Sequence, residues 1–137
     1  MTRVFWDTNI MLDLLGERDP YYDDAALIAT LADKKEIQLF VSALSYATVG
    51  YFLTKFSNIE ITKEKLRKFR IISEIISLDD QVIEKGLNSD IRDFEDAIQY
   101  YCALNAECDI IVTRNVKDFK KSAIPVISPH EFLKSRE

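Results

Sequence analysis

The feature that most constrains this chain is the alternation of short apolar runs with longer stretches of helical periodicity. The runs are Val4 to Trp6, Ile37 to Val41, Ile75 to Leu78, Ile110 to Thr113 and Pro125 to Ile127. Asp23 to Leu31, Ser42 to Phe56, a charged segment opened by Thr62, Asp80 to Leu87 and Phe94 to Leu104 carry apolar residues at helical spacing between them. Two parallel strands need a long crossover, usually a helix, so this alternation predicts an α/β fold with a largely parallel sheet. No Gly/Ser-rich linker divides the 137 residues, which are expected to form one domain over 1–137.

Within this frame the clearest helix is Phe94 to Leu104. Phe94, Ala97, Ile98, Tyr101 and Cys102 follow the amphipathic spacing and are expected to face the sheet, leaving Tyr100 as the ring free to stack on a base. In the next helix back, Asp80 is the expected cap and Gly86 the expected terminator. Ser128-Pro129-His130-Glu131 reads as the opening turn of a C-terminal helix.

Several classes of chemistry drop out. The only histidine, His130, sits in that opening turn, which argues against a histidine-based triad or a His-rich metal site. Cys102 and Cys108 lack zinc-site spacing and read as reduced core thiols. Gly16, Gly50 and Gly86 are too scattered for a phosphate-binding loop, which removes nucleotide-triphosphate and NAD chemistry. The net charge of −5 argues against nonspecific coating of nucleic acid, and the basic cluster Lys63, Lys65, Arg67, Lys68 and Arg70 reads as a solvated helix face. The short apolar runs and the absence of a basic, apolar leader point to a cytoplasmic protein with no membrane partner.

Acids gather where function is expected in such a sheet. Asp7, Thr8 and Asn9 follow the first apolar run, Asp93 and Asp96 open the best helix, and Asn115 and Asp118 follow the fourth run. Each is readable alone as helix capping. Together they suggest more, because ligands of open α/β sheets bind beyond the carboxyl ends of the strands. Two carboxylates about 5 Å apart repel by roughly 3 kcal/mol at an effective dielectric near 20. A raised pKa relieves that repulsion, and so does a hard cation such as Mg²⁺ or Mn²⁺. Such an ion can activate water for displacement at phosphorus without a covalent nucleophile.

These residues carry a resemblance. Val4-Phe5-Trp6-Asp7-Thr8-Asn9, Val41-Ser42-Ala43-Leu44, Asp93-Phe94-Glu95-Asp96-Ala97, and Ile111-Val112-Thr113-Arg114-Asn115 followed by Lys117-Asp118-Phe119 occur in the order and spacing of one family. Over almost its whole length the chain resembles the PIN-domain family of metal-dependent ribonucleases, especially the VapC-like toxins of toxin-antitoxin pairs. The resemblance implies a three-layer α/β/α fold, an endoribonuclease activity on an RNA substrate, a small antitoxin partner with a DNA-binding portion, and a homodimer as a common assembly. It implies Asp7, Asp96 and Asn115 as ligands of Mg²⁺ or Mn²⁺, and Asp93 and Asp118 as further catalytic acids. Thr8, Asn9, Thr113 and Arg114 are the candidate substrate contacts, Arg114 through a charge-assisted fork to phosphate.

Two departures from the family pattern matter. Thr48 stands where many members carry a Glu, and Asn115 where an acid is common. Fewer negative ligands hold a hard cation less tightly, so the alternative is a catalytically weak or inactive PIN-like module that binds RNA or protein. A phosphatase of the haloacid dehalogenase type also places an Asp after its first strand, but Asn9 replaces the second acid that its chemistry needs. Tyr46, Tyr51, Phe52 and Phe56 along the third helix supply either a partner surface or core.

Overall fold

The computed structural model describes residues Met1–Glu137. Strands β1 (Thr2–Trp6), β2 (Ile37–Ser42), β3 (Ser73–Ile76), β4 (Ile110–Val112) and β5 (Val126–Ile127) pair in the order β3-β2-β1-β4-β5, every neighbour parallel. Helices α1 (Thr8–Leu15), α2 (Tyr22–Asp33), α3 (Ala43–Phe56), α4 (Ile59–Ile72), α5 (Asp80–Leu87), α6 (Phe94–Asn105) and α7 (Pro129–Ser135), with a 3₁₀ turn over Val116–Phe119, complete the chain. The α/β expectation holds, with the sheet wholly parallel.

Strand alternation divides the core in two. Val4, Trp6, Leu39, Val41 and Val112 point to one face, where α1, α2, α3, α4 and α7 bury Ile10, Met11, Ile28, Val49, Phe69 and Phe132. Phe5, Phe40 and Ile111 point to the other, against Val82 of α5, Ile98 and Cys102 of α6, and Phe119 of the 3₁₀ turn. β1 and β2 are covered on two faces, which explains their continuous apolar sequences. Cys102 and Cys108 are free and buried, and burial pushes their thiols up to about 11 and about 12.

Local boundaries differ from the sequence reading for physical reasons. Helix α4 starts earlier than Thr62: Asn58 caps it by accepting from the Ile61 amide at 2.9 Å, and Thr62 is buried inside, bonded to Asn58 O. Asp79, rather than Asp80, caps α5. Gly86 does not end that helix. It lies within it, where an added Cβ would come 3.2 Å from Phe94 Cε1, so its lack of a side chain lets α5 approach the start of α6. On α4, Lys65 donates to Leu15 O, while Arg67 and Lys68 pair with Glu64 in solvent, as expected of a solvated face. No helix is long and apolar enough to cross a membrane.

The order of strands creates the feature that positions a site. From β1 the chain winds outward to β2 and β3, then returns to place β4 on the other side of β1. The segments leaving β1 and β4 therefore diverge to opposite sides, opening a crevice at their carboxyl ends.

Candidate active site

Asp7 occupies that crevice. It caps α1, is 5% exposed, and its carboxylate is fixed from two sides. Oδ1 accepts from the Thr8 amide at 2.8 Å, and Oδ2 accepts from the Thr113 hydroxyl at the end of β4 at 2.8 Å. The cap and the functional position are the same side chain. Burial raises the Asp7 pKa above its ordinary value, the hydrogen bonds from Thr113 and Thr8 oppose the rise, and Asp118 adds to it.

Helix α6 delivers the second acid. Asp93 is its N-cap, accepting from the Asp96 amide at 3.0 Å, so Asp96 is held in the first turn. Partial burial, followed by the charges of Asp7, Asp93, Asp118 and Glu95, pushes Asp96 up to about 7. Glu95 is raised as well, by partial loss of solvent and then by Asp93 and Asp7. The structure thus brings Asp7, Asp93, Asp96 and Asp118 into one electrostatic neighbourhood, with Glu95 beside them. Its place two residues after Asp93 was the available signal.

The α6 wheel is rotated from the one read in the sequence. Gln99, Tyr100 and Ala103 are buried with Ala97, Ile98 and Cys102, whereas Phe94 is 43% exposed and Tyr101 half-buried. Tyr100 is therefore core rather than a base-stacking ring, and its hydroxyl accepts from the Ala123 amide at 2.9 Å. The cause is Gln99, which is fully buried in a polar network that apolar periodicity does not register. Its Nε2 donates to Thr8 Oγ1 at 2.6 Å and Ser45 Oγ at 2.8 Å, and its Oε1 accepts from Ser42 Oγ at 2.6 Å. The network ties α6 to the ends of β1 and β2.

The model of the PIN domain matches residues 3–117, a span that includes each of these acids except Asp118. The chain belongs to the PIN-domain family. No curated protein matches it by sequence. Solved structures share the PIN fold. A toxin-antitoxin complex from Klebsiella pneumoniae aligns at TM-score 0.67 with 24% identity, covering 92% of this chain and 97% of that one. FitAcB from Neisseria gonorrhoeae aligns at TM-score 0.69 with 16% identity, over 93% and 98%. VapC20 of Mycobacterium tuberculosis, described as a sarcin-ricin loop cleaving toxin, aligns at 0.62 with 14% identity, over 79% and 86%.

In this PIN domain three of the four expected substrate contacts are committed to the protein itself. Thr113 is fully buried with its hydroxyl given to Asp7. Thr8 is engaged by Gln99 and Ser45, with Ser45 Oγ at 2.7 Å. Arg114 donates Nε and an Nη to Asp13 at 2.7 and 3.2 Å and lies 3.8 Å over the Tyr21 ring. Asp13 is fully buried on α1 and also pairs with Arg18 at 2.9 Å. In each case a buried partner, Asp7, Gln99 or Asp13, claims the polar atom. Asn9 is different. Its Nδ2 lies 3.4 Å from Asp7 Oδ2, and its buried Oδ1 has no partner.

That donor set suits a hard cation. Asp7 and Asp96 supply carboxylate oxygens, the unpartnered Asn9 Oδ1 is a neutral oxygen, and no soft ligand is present. No three acid side chains converge tightly enough to enclose an ion. In kind, two carboxylates and a neutral oxygen match what Mg²⁺ takes, since it retains several waters. Asn115 is exposed, its backbone amide bonded to Thr113 Oγ1 and its side chain capping nothing. Thr48 is half-buried on α3 and takes no part in the Gln99 network.

Proposed function

We propose that this PIN domain is a Mg²⁺- or Mn²⁺-dependent endoribonuclease and the toxin half of a toxin-antitoxin pair. The observation that carries the reading is the buried Asp7 carboxylate at the β1–β4 crevice, acting electrostatically on Asp96. Asp7, Asp96 and the Asn9 Oδ1 would hold the ion, with Asn115, in the loop after β4, as a further neutral oxygen. When bound, such an ion supplies Lewis acidity toward a phosphodiester and lowers the pKa of an attacking water. Thr113 and the Thr8 amide keep Asp7 oriented, Asp93 holds the first turn of α6, and Asp118 adds negative charge at the mouth. The described activity of VapC20 and the toxin-antitoxin assembly from Klebsiella pneumoniae support RNA as substrate and an antitoxin as partner.

The test is cleavage of a panel of structured RNAs with Mn²⁺, comparing wild type with Asp7→Ala and Asp96→Ala. Loss of cleavage in both variants is expected, and equal cleavage by all three proteins sinks the assignment. A second reading, a PIN-fold binding module without turnover, is favoured by the uncharged Thr48 and Asn115. A wild type that binds Mn²⁺ and RNA but cleaves nothing on the panel would select it. Homodimerisation through the exposed rings of Tyr51, Phe52 and Phe56 belongs to the same proposal, with Tyr46 set apart because it is half-buried and bonded to Ser73.

A further inference from the structure

Beside the acids lies a cleft of about 330 Å³ lined by charges of both signs, four acidic side chains with Asp90 among them and four basic ones. Asp93, Asp96 and Asp118 line it together with Arg92, Lys117, Lys120 and Lys121. Lys121 reaches Asp90 at 3.9 Å in a pair exposed to solvent on both sides. Lys117, Lys120 and Arg92 have no ion-pair partner, although carboxylates line the same cleft. The 3₁₀ turn explains how the cations are presented. Its residue Phe119 is 2% exposed in the core, and its start is tied to Thr113 through the Asn115 amide at 3.0 Å. Lys120 follows the turn directly and keeps helical dihedrals (φ −53°, ψ −32°), so Lys117 and Lys120, three apart, share a face about 6 Å apart along the axis. That distance suits neighbouring phosphates of one strand.

We infer that this cleft is a phosphate-binding track for single-stranded RNA, in which Lys117, Lys120 and Arg92 grip backbone phosphates next to the one cleaved between the acids. The inference rests on the nuclease reading above and extends it to how substrate is held. The spacing of Lys117 and Lys120 matches successive phosphates of one strand. Ile91 is the sole apolar residue in the lining, and Tyr100 is buried, so no aromatic platform stacks bases. The cleft reads backbone charge, and base sequence contributes little to affinity there. These are positioning residues: they orient substrate and leave the reacting atoms to Asp7 and Asp96.

The experiment measures binding of a labelled single-stranded oligouridine in EDTA over a range of salt, with wild type, Arg92→Ala/Lys117→Ala/Lys120→Ala, and a control, Lys63→Ala/Arg67→Ala/Lys68→Ala on α4. The cleft variant is expected to bind at least tenfold more weakly at low salt. The slope of log K against log salt should shrink by about 2, since each lost phosphate contact removes roughly 0.7 on a single strand. The control should match wild type, and with Mn²⁺ the cleft variant should raise KM while kcat stays within a few-fold. Conserved melting temperatures show that the variants are folded. Unchanged affinity and slope in the cleft variant, or an equal loss in the α4 control, overturns the track. If wild type cleaves RNA and the cleft variant keeps its KM, the track fails while the nuclease reading stands. If wild type cleaves nothing but the cleft variant loses oligouridine binding, the track stands and the nuclease reading fails.

Discussion

Arg114→Ala separates two uses of a residue that the sequence presents as a phosphate contact. In the structure its guanidinium is bonded at 2.7 and 3.2 Å to Asp13, a side chain only 1% exposed, and stacks on Tyr21. Removing one partner of a buried pair costs about 3–5 kcal/mol. Arg18 remains on Asp13 through Nε at 3.0 Å and Nη2 at 2.9 Å, which places the loss at the lower end, about 3 kcal/mol. The stacking contact adds about 0.5–1 kcal/mol. For a domain of this size the sum lowers the melting temperature by about 10–14 °C, measurable by calorimetry or circular dichroism. Asp13→Leu/Arg114→Met should recover most of the loss, because replacing both members leaves no buried charge. A variant Arg114→Ala that melts within about 2 °C of wild type but no longer binds RNA would refute the structural role and restore the phosphate contact.

Other consequences follow from the same polar interior. Gln99→Leu removes three hydrogen bonds while the hydroxyls of Thr8, Ser45 and Ser42 keep one another at 2.7 and 3.2 Å, so it should cost about 2 kcal/mol, lowering the melting temperature by about 6 °C. An unchanged melting temperature would contradict the network. Asp96 has a folded pKa of about 7 against an unfolded value near its ordinary 3.8, so the folded state binds the extra proton between those limits. Its contribution to metal-free stability is therefore most favourable below pH about 4 and is lost as pH rises toward 7. Asp96→Asn should remove that fall, so the wild-type-minus-variant difference in urea midpoint becomes more negative from pH 4 to 7; a difference independent of pH refutes it. Thr113→Val withdraws the hydroxyl from Asp7 Oδ2 and should raise the Asp7 pKa further and weaken Mn²⁺ binding several-fold, read by calorimetric titration.

What the sequence discloses is the alternation and the chain order of the acids, because both are written in apolar spacing and in charge. The parallel sheet, the Asp7 cap and the Asp93 cap follow from these directly. What it conceals are polar residues that spend their polarity inward. Gln99 breaks the apolar stripe of α6, so the stripe is drawn through Phe94 and Tyr101 when the buried face runs through Gln99 and Tyr100. Asp13 looks like one charge on the surface of α1, and only the fold shows it lying under Arg114 and Arg18. The same blindness affects Thr8, Thr113 and Arg114, whose partners are 91, 106 and 101 residues away. The cations around the 3₁₀ turn carry no signal in the sequence beside the denser cluster on α4, yet they, unlike that cluster, share a cleft with the acids.

The central claim is that Asp7 and Asp96 together hold one hard divalent ion at the β1–β4 crevice. Isothermal titration of the metal-free protein with Mn²⁺, run beside Asp7→Asn and Asp96→Asn with melting curves to show that all three are folded, addresses it most directly. The account predicts one site per chain in the wild type, proton release on binding, and loss of the site in both variants. An absence of Mn²⁺ binding in the wild type, or binding that survives either substitution unchanged, would contradict it.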